Sequence, residues 1–135
     1  MQSRRPTLFA ALALAAIGLS ACGADEPYTP AAGRTVSLRL DEYRVLPQRV
    51  TVPAGRVRLV GRNTGRLTHN LAIVQFDRPL GEDEERQFAR TRTAHPGQQV
   101  QTTVTLRPGK YRVVCTIANH DNLGQYGELE VQSAR

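Results

Sequence analysis

The sequence predicts an all-β domain, a sandwich or barrel of five or more short strands, carried behind an export signal. Three observations predict it. Apolar and polar residues alternate with period two in at least five separate stretches, as half-buried strands require. Pro53-Ala54-Gly55, Asn63-Thr64-Gly65 and Pro108-Gly109 punctuate them with turn residues. The chain has 135 residues, and what remains after the signal suits one domain with one modest core. That length excludes a TIM barrel or a full two-half Rossmann fold.

At the N-terminus, Arg4 and Arg5 precede the apolar run Leu8–Leu19. A basic start, a short apolar run and a small-residue exit describe an export signal over residues 1–21. The run is too short to span a bilayer. Leu19-Ser20-Ala21-Cys22 resembles the bacterial lipobox, which implies that Cys22 is acylated and becomes the first mature residue. Residues 22–33 are small, polar and proline-rich, and read as that cysteine and a flexible tether. The domain is expected over residues 34–135.

Within it, Val36, Leu38 and Leu40 share one face, with Ser37 and Arg39 on the other. Val57 and Leu59 alternate with Arg56 and Arg58, and Leu71 and Ile73 continue after His69. Val100, Thr102, Val104 and Leu106 form another face, as do Tyr111, Val113 and Cys115, and then Leu129 and Val131. Asp77–Thr93 breaks the pattern: acids come first and arginines later. That order suits the dipole of one short surface helix in the 81–92 region, with Phe88 as its inward anchor. A solvated loop is the alternative.

The charge balance is +6 over the whole chain, and two of the arginines belong to the signal. The others alternate with acids and apolar residues and form no dense stripe, so a nucleic-acid footprint is not expected. There are two cysteines, three histidines and one methionine, Met1. Outside the cytoplasm two cysteines ordinarily suggest a disulfide. A Cys22 acylated through its sulfur cannot form one, which leaves Cys115 an unpaired thiol.

Cys115 ends a strand, and His120 and Gln125 follow it in one glycine-containing loop; His69 lies far upstream in Asn63-Thr64-Gly65-Arg66-Leu67-Thr68-His69-Asn70. A thiolate and two imidazoles suit copper: sulfur stabilises the cuprous ion and imidazole accommodates both oxidation states. A weak axial donor, methionine or glutamine, tunes the potential. Because Met1 leaves with the signal, the mature chain has no thioether, and Gln125 is the oxygen donor in place. His95 lies outside this constellation and reads as a loop residue. Gly124 and Gly127 read as tight-loop and close-approach positions.

Cys115, His120, Gln125, Gly127, Leu129 and Val131, with Asn63, Gly65, His69 and Asn70 upstream, resemble the cupredoxins, the blue-copper family. The likeness runs from about Val36 to Val131. It implies a Greek-key β-sandwich or barrel holding one copper ion, Cu+ or Cu2+, on His69, Cys115, His120 and axial Gln125. Most bacterial members carry methionine where this chain has Gln125; His120-Asp121-Asn122-Leu123-Gly124-Gln125 resembles instead the stellacyanins, plant cupredoxins with axial glutamine. The resemblance further implies that Asn70 ties its loop to the cysteine loop by hydrogen bonds. It also implies that an exposed edge of His120 passes electrons, with Leu71, Leu123 and Pro96 as an apolar surround. The expected function is a membrane-anchored, extracytoplasmic carrier of single electrons, a monomer meeting an unidentified redox protein transiently. A copper-delivery protein and a metal-free surface module of the same fold are the alternatives. An enzyme is not expected: a copper with every position committed leaves no substrate site, and three histidines cannot supply a multicopper cluster.

Overall fold

Period-two alternation becomes two facing sheets in the computed structural model, which describes residues 26–77 and 87–134. The signal, the lipobox with Cys22, and residues 81–86 of the expected helix lie outside those residues. The strands in chain order are β1 (Thr29–Pro30), β2 (Thr35–Asp41), β3 (Arg44–Leu46), β4 (Arg49–Pro53) and β5 (Gly55–Asn63). They continue as β6 (Ala72–Gln75), β7 (Gln87–Arg90), β8 (Gln99–Leu106), β9 (Gly109–Val114) and β10 (Tyr126–Gln132). One sheet has the order β1-β4-β10-β9-β6-β7 and the other β3-β2-β5-β8. The chain therefore crosses repeatedly between sheets, so that β10 inserts between β4 and β9. β4 runs parallel to both β1 and β10, and β2 parallel to β5, with the remaining pairs antiparallel. This is the all-β sandwich the alternation predicts.

The core sits between the sheets. Val36, Leu38 and Leu40 of β2 meet Val57 and Leu59 of β5, and Ile73, Val113, Leu129 and Val131 from the opposite sheet. Their partners Ser37, Arg39, Arg56 and Arg58 face solvent, as the alternation requires. Each such burial removes about 1.5–3 kcal/mol of apolar exposure. β6 differs: Ala72 and Val74 are buried with Val114 in a second cluster under Tyr126, while Leu71 and Ile73 are also fully buried. A strand covered on both faces shows no alternation.

Two expectations change. Gln87–Arg90 is not helical but the edge strand β7, paired to β6, and Thr91 and Arg92 are irregular. Among the described residues there is no helix, hence none long and apolar enough to cross a membrane. Phe88 is not an inward anchor; it is 49% exposed and rests edge-on against Tyr111, ring centroids 5.3 Å apart. Strand pairing also reaches back into the segment read as tether: β1 pairs with β4, and Tyr28 donates to Glu128 Oε2 at 2.8 Å.

Register places one set of strand ends together. Leu40 near the end of β2 lies beside Asn63 at the end of β5, and Arg62 lies beside Gln99 at the start of β8. In the other sheet the end of β9, Val114, pairs with Tyr126 and Ala72, the starts of β10 and β6. The turn after β2, the loops 63–71 and 91–98, and the loop 115–125 thus cluster at one end of the sandwich.

Candidate metal centre

The loop after β5 is built around a buried side chain. Asn63 Nδ2 donates to the carbonyls of Leu67 and Ala94 at 2.8 and 2.9 Å, and its Oδ1 accepts from Gly65 N–H at 2.9 Å. His69 then pairs with Ala94 like a strand residue, donating its N–H at 3.1 Å and accepting at 2.7 Å. The imidazole is fully buried. Asn70 cross-links this loop to the next: its Oδ1 accepts from Thr116 N–H at 2.8 Å and its Nδ2 donates to Thr116 Oγ1 at 2.9 Å.

Cys115 follows β9 directly, fully buried and free of any disulfide among the described residues. Its N–H donates to Gln125 carbonyl at 3.1 Å, closing the loop between them. Inside, His120 N–H donates to Ile117 carbonyl and Gln125 N–H donates to His120 carbonyl, each at 2.9 Å. Such tightness forces Ala118 and Asn119 to φ 45° and 58°, a left-handed region that non-glycine residues adopt uncommonly. Gly124, at φ 113°, has its Cβ direction 3.0 Å from Tyr43 carbonyl, and a Cβ on Gly127 would stand 2.8 Å from Gln48 carbonyl, so both positions need glycine.

These two loops bring His69, Cys115 and His120 together, one ligand atom of each lying within 4.8 Å of the others. Cys115 Sγ is 3.7 Å from His120 Nδ1. Bonds of about 2.3 Å to sulfur and about 2.0–2.1 Å to imidazole nitrogen, as zinc makes, place sulfur and nitrogen about 3.8 Å apart at a trigonal angle. The donors are therefore spaced for one ion. Gln125 is also fully buried. Its Nε2 donates to Asp41 carbonyl at 2.9 Å, which fixes the amide orientation. Its Oε1 and His69 Nδ1 are buried without a hydrogen-bond partner, while His69 Nε2 faces only the Glu42 carboxylate, 3.5 Å away. Buried polar atoms are ordinarily satisfied; a cation held by sulfur, imidazole and amide oxygen would satisfy Gln125 Oε1 and His69 Nδ1. The donor set fits copper better than a hard cation such as magnesium, which selects oxygen ligands.

The electrostatics agree with a site made for neutral imidazole and a displaceable proton. Burial pushes the His69 pKa down, opposed by Glu42 as hydrogen-bond acceptor and helped by the nearby His120. Burial pushes the Cys115 thiol up, while the backbone N–H groups of Asn70 and Ile117 favour its thiolate. A metal must displace that proton to bind.

Other expected residues fall differently. His120 is 7% exposed, against none for His69, Cys115 and Gln125, so its open edge is narrow. Part of its cover is Tyr43, whose ring stands edge-on at 5.4 Å between centroids. Leu71 does not belong to an apolar surface patch: it is fully buried, filling the space a Cβ on Gly61 would need. Leu123 is 58% exposed and Pro96 is exposed. His95 is exposed and outside the cluster. Sequence reasoning missed Leu67, 40% exposed in the His69 loop, and the whole turn Asp41–Arg44. Nothing in a local pattern ties residue 42 to residue 69; the only available signal was an acid at a strand-to-strand turn.

The family described as the cupredoxin-like domain matches residues 8–125, and the chain belongs to it. Among solved structures, it is similar to a dithionite-reduced auracyanin from Roseiflexus castenholzii: 25% identity over 76% of this chain and 99% of that one, with a TM-score of 0.64. Auracyanin A, a blue copper protein from Chloroflexus aurantiacus, is 23% identical over 77% of this chain and 100% of its own, TM-score 0.62. Auracyanin B is 24% identical over 81% and 93%, TM-score 0.62. No curated protein sequence matches.

The pH dependence of the metal-free protein follows from the two shifts. His69 has its pKa lowered from 6.5, so below about that pH the unfolded chain binds the proton first and stability falls as pH drops. Cys115 has its pKa raised from 9.0, so above that pH the unfolded chain loses the proton first and stability falls as pH rises. Urea midpoints of metal-free protein should peak between these values. Alanine at position 69 should flatten the descent just below 6.5, and alanine at position 115 the descent above 9.0.

Proposed function

We propose that this chain is a type 1 copper protein that carries single electrons between extracytoplasmic redox partners while tethered to the membrane through acylated Cys22. The observation that carries the reading is the buried cluster of His69, Cys115 and His120, with the unpartnered Oε1 of Gln125 fixed beside it. Bound copper supplies a one-electron couple. The chain's part is to hold its donors still. Each comes from a strand end or a loop closed by backbone hydrogen bonds, and Asn70 locks the two loops together. Fixed donors keep the rearrangement between oxidation states small.

Burial of His69, Cys115 and Gln125 keeps water and substrates away. His120, with its narrow exposure, is the ligand through which electrons pass. Exposed Leu123, Leu67 and Pro96, in the loops at this end, suit a small, transient contact with a redox partner. Gln125 brings a harder oxygen donor than methionine, which favours the cupric state and a lower potential. The resemblance to auracyanin A, a blue copper protein, supports the same assignment.

Purified protein loaded with copper should show an intense visible thiolate-to-copper absorption, narrow copper hyperfine splitting in spin resonance, and a reversible one-electron wave. Cys115→Ser should abolish the band, and Gln125→Met should raise the potential. A colourless wild type with Cys115 reduced and intact would contradict the proposal, and an unmoved potential in the Gln125 variant would remove that residue from the metal. The tether has its own check: in a bacterium that processes lipoproteins, Cys22→Ser should shift the protein from the membrane to the soluble fraction. Retention in the membrane would contradict acylation at Cys22.

A further inference from the structure

The turn between β2 and β3, Asp41–Arg44, touches three of the four side chains of the candidate centre. Asp41 carbonyl accepts from Gln125 Nε2, and Tyr43 covers His120. Between them, Glu42 Oε1 stands 3.5 Å from His69 Nε2. The same oxygen accepts from the backbone N–H groups of Arg66 and Leu67 at 2.6 and 3.0 Å. Space for it exists because residue 65 is glycine: a Cβ there would run into Glu42 Oε1. The carboxylate is thus docked into the loop that carries His69, not loosely placed on the surface. Two backbone N–H donors to one oxygen favour the carboxylate form, so the group facing the imidazole is an anion. Glu42 is not one of the three clustered donors, and it faces the ring nitrogen remote from a metal bound through Nδ1.

We propose that Glu42 is a positioning residue for His69, its carboxylate accepting the Nε2 proton so that Nδ1 is left as the metal-binding nitrogen. The inference rests on the copper reading and extends it. Outer partners of metal-bound imidazoles fix the tautomer and raise ligand basicity. Here the partner also places a negative charge one ring away from the ion. That charge stabilises Cu2+ more than Cu+ and acts in the same direction as the Gln125 oxygen. The chain therefore lowers its potential by two separate devices, one at the metal and one behind a ligand.

Glu42→Gln keeps an oxygen for the Arg66 and Leu67 N–H groups and removes the charge. The variant should remain coloured but prefer Cu2+ over Cu+ about tenfold less than the wild type, read by chelator competition in each state. For a one-electron couple that is an upward potential shift of about 59 mV. Glu42→Asp, which keeps the charge, should fall between the two. A coloured Glu42→Gln protein with an unmoved potential would overturn the inference alone. A wild type that takes up no copper would overturn the copper reading and the inference with it. Should Glu42→Gln fail to fold, nitrogen-15 resonance of the imidazoles in the wild-type Cu+ form decides the matter. A proton on His69 Nε2 supports the inference, and a proton on Nδ1 overturns it.

Discussion

The rest of the structure depends on one constraint: several polar atoms of this chain are buried where no protein group satisfies them. Nδ1 of His69 and Oε1 of Gln125 lie in this condition, next to a fully buried thiol. Leaving such a group unpaired costs about 1–3 kcal/mol. The chain does not relax this by exposing the residues or by pairing them. Instead it fixes them more firmly. Asn63 braces the loop that carries His69, Gln125 Nε2 is spent on Asp41 carbonyl so that its oxygen is left over, and the left-handed Ala118 and Asn119 permit the tight return to His120. A site whose local choices are unfavourable without a cation, and consistent with one another in its presence, is the physical content of the copper proposal.

The two sheets make that rigidity available. Strands β2, β5 and β8 end or begin beside one another on one side, and β6, β9 and β10 on the other. Donors distant in sequence are therefore delivered by register, not by loop flexibility. Asn70 and Thr116 then join the two ligand loops directly. The turn 41–44 closes the arrangement from the side, with one contact each to Gln125, His69 and His120. A centre held on three sides in this way has little freedom to follow the preferred geometry of either oxidation state.

Much of the fold was legible because β2, β5, β8 and β10 each have one wet face, and the alternation of Val36, Leu38 and Leu40 with Ser37 and Arg39 reports it directly. β6 gives only the partial signal of Leu71 and Ile73 after His69, since Ala72 and Val74 on its other face are buried as well. β7 was misleading: an edge strand is bonded on one side only, so Gln87–Arg90 needs little hydrophobic pattern, and the charge gradient around it imitated a helix. The clustering of His69, Cys115 and His120 was legible because cysteine and histidine are rare in this chain and Cys115 and His120 are closely spaced. Glu42 and Tyr43 were not, since only the parallel pairing of β2 with β5 brings the turn to the His69 loop. Leu71 was misplaced for a related reason: a residue next to a site can point away from it, into the core.

X-ray absorption at the copper edge, on protein loaded and then poised in each oxidation state, tests the central claim most directly. The account predicts one short sulfur neighbour from Cys115 and two imidazole nitrogens from His69 and His120, with distances that change little between the states. A copper shell of nitrogen and oxygen alone, or one that rebuilds on reduction, would contradict it.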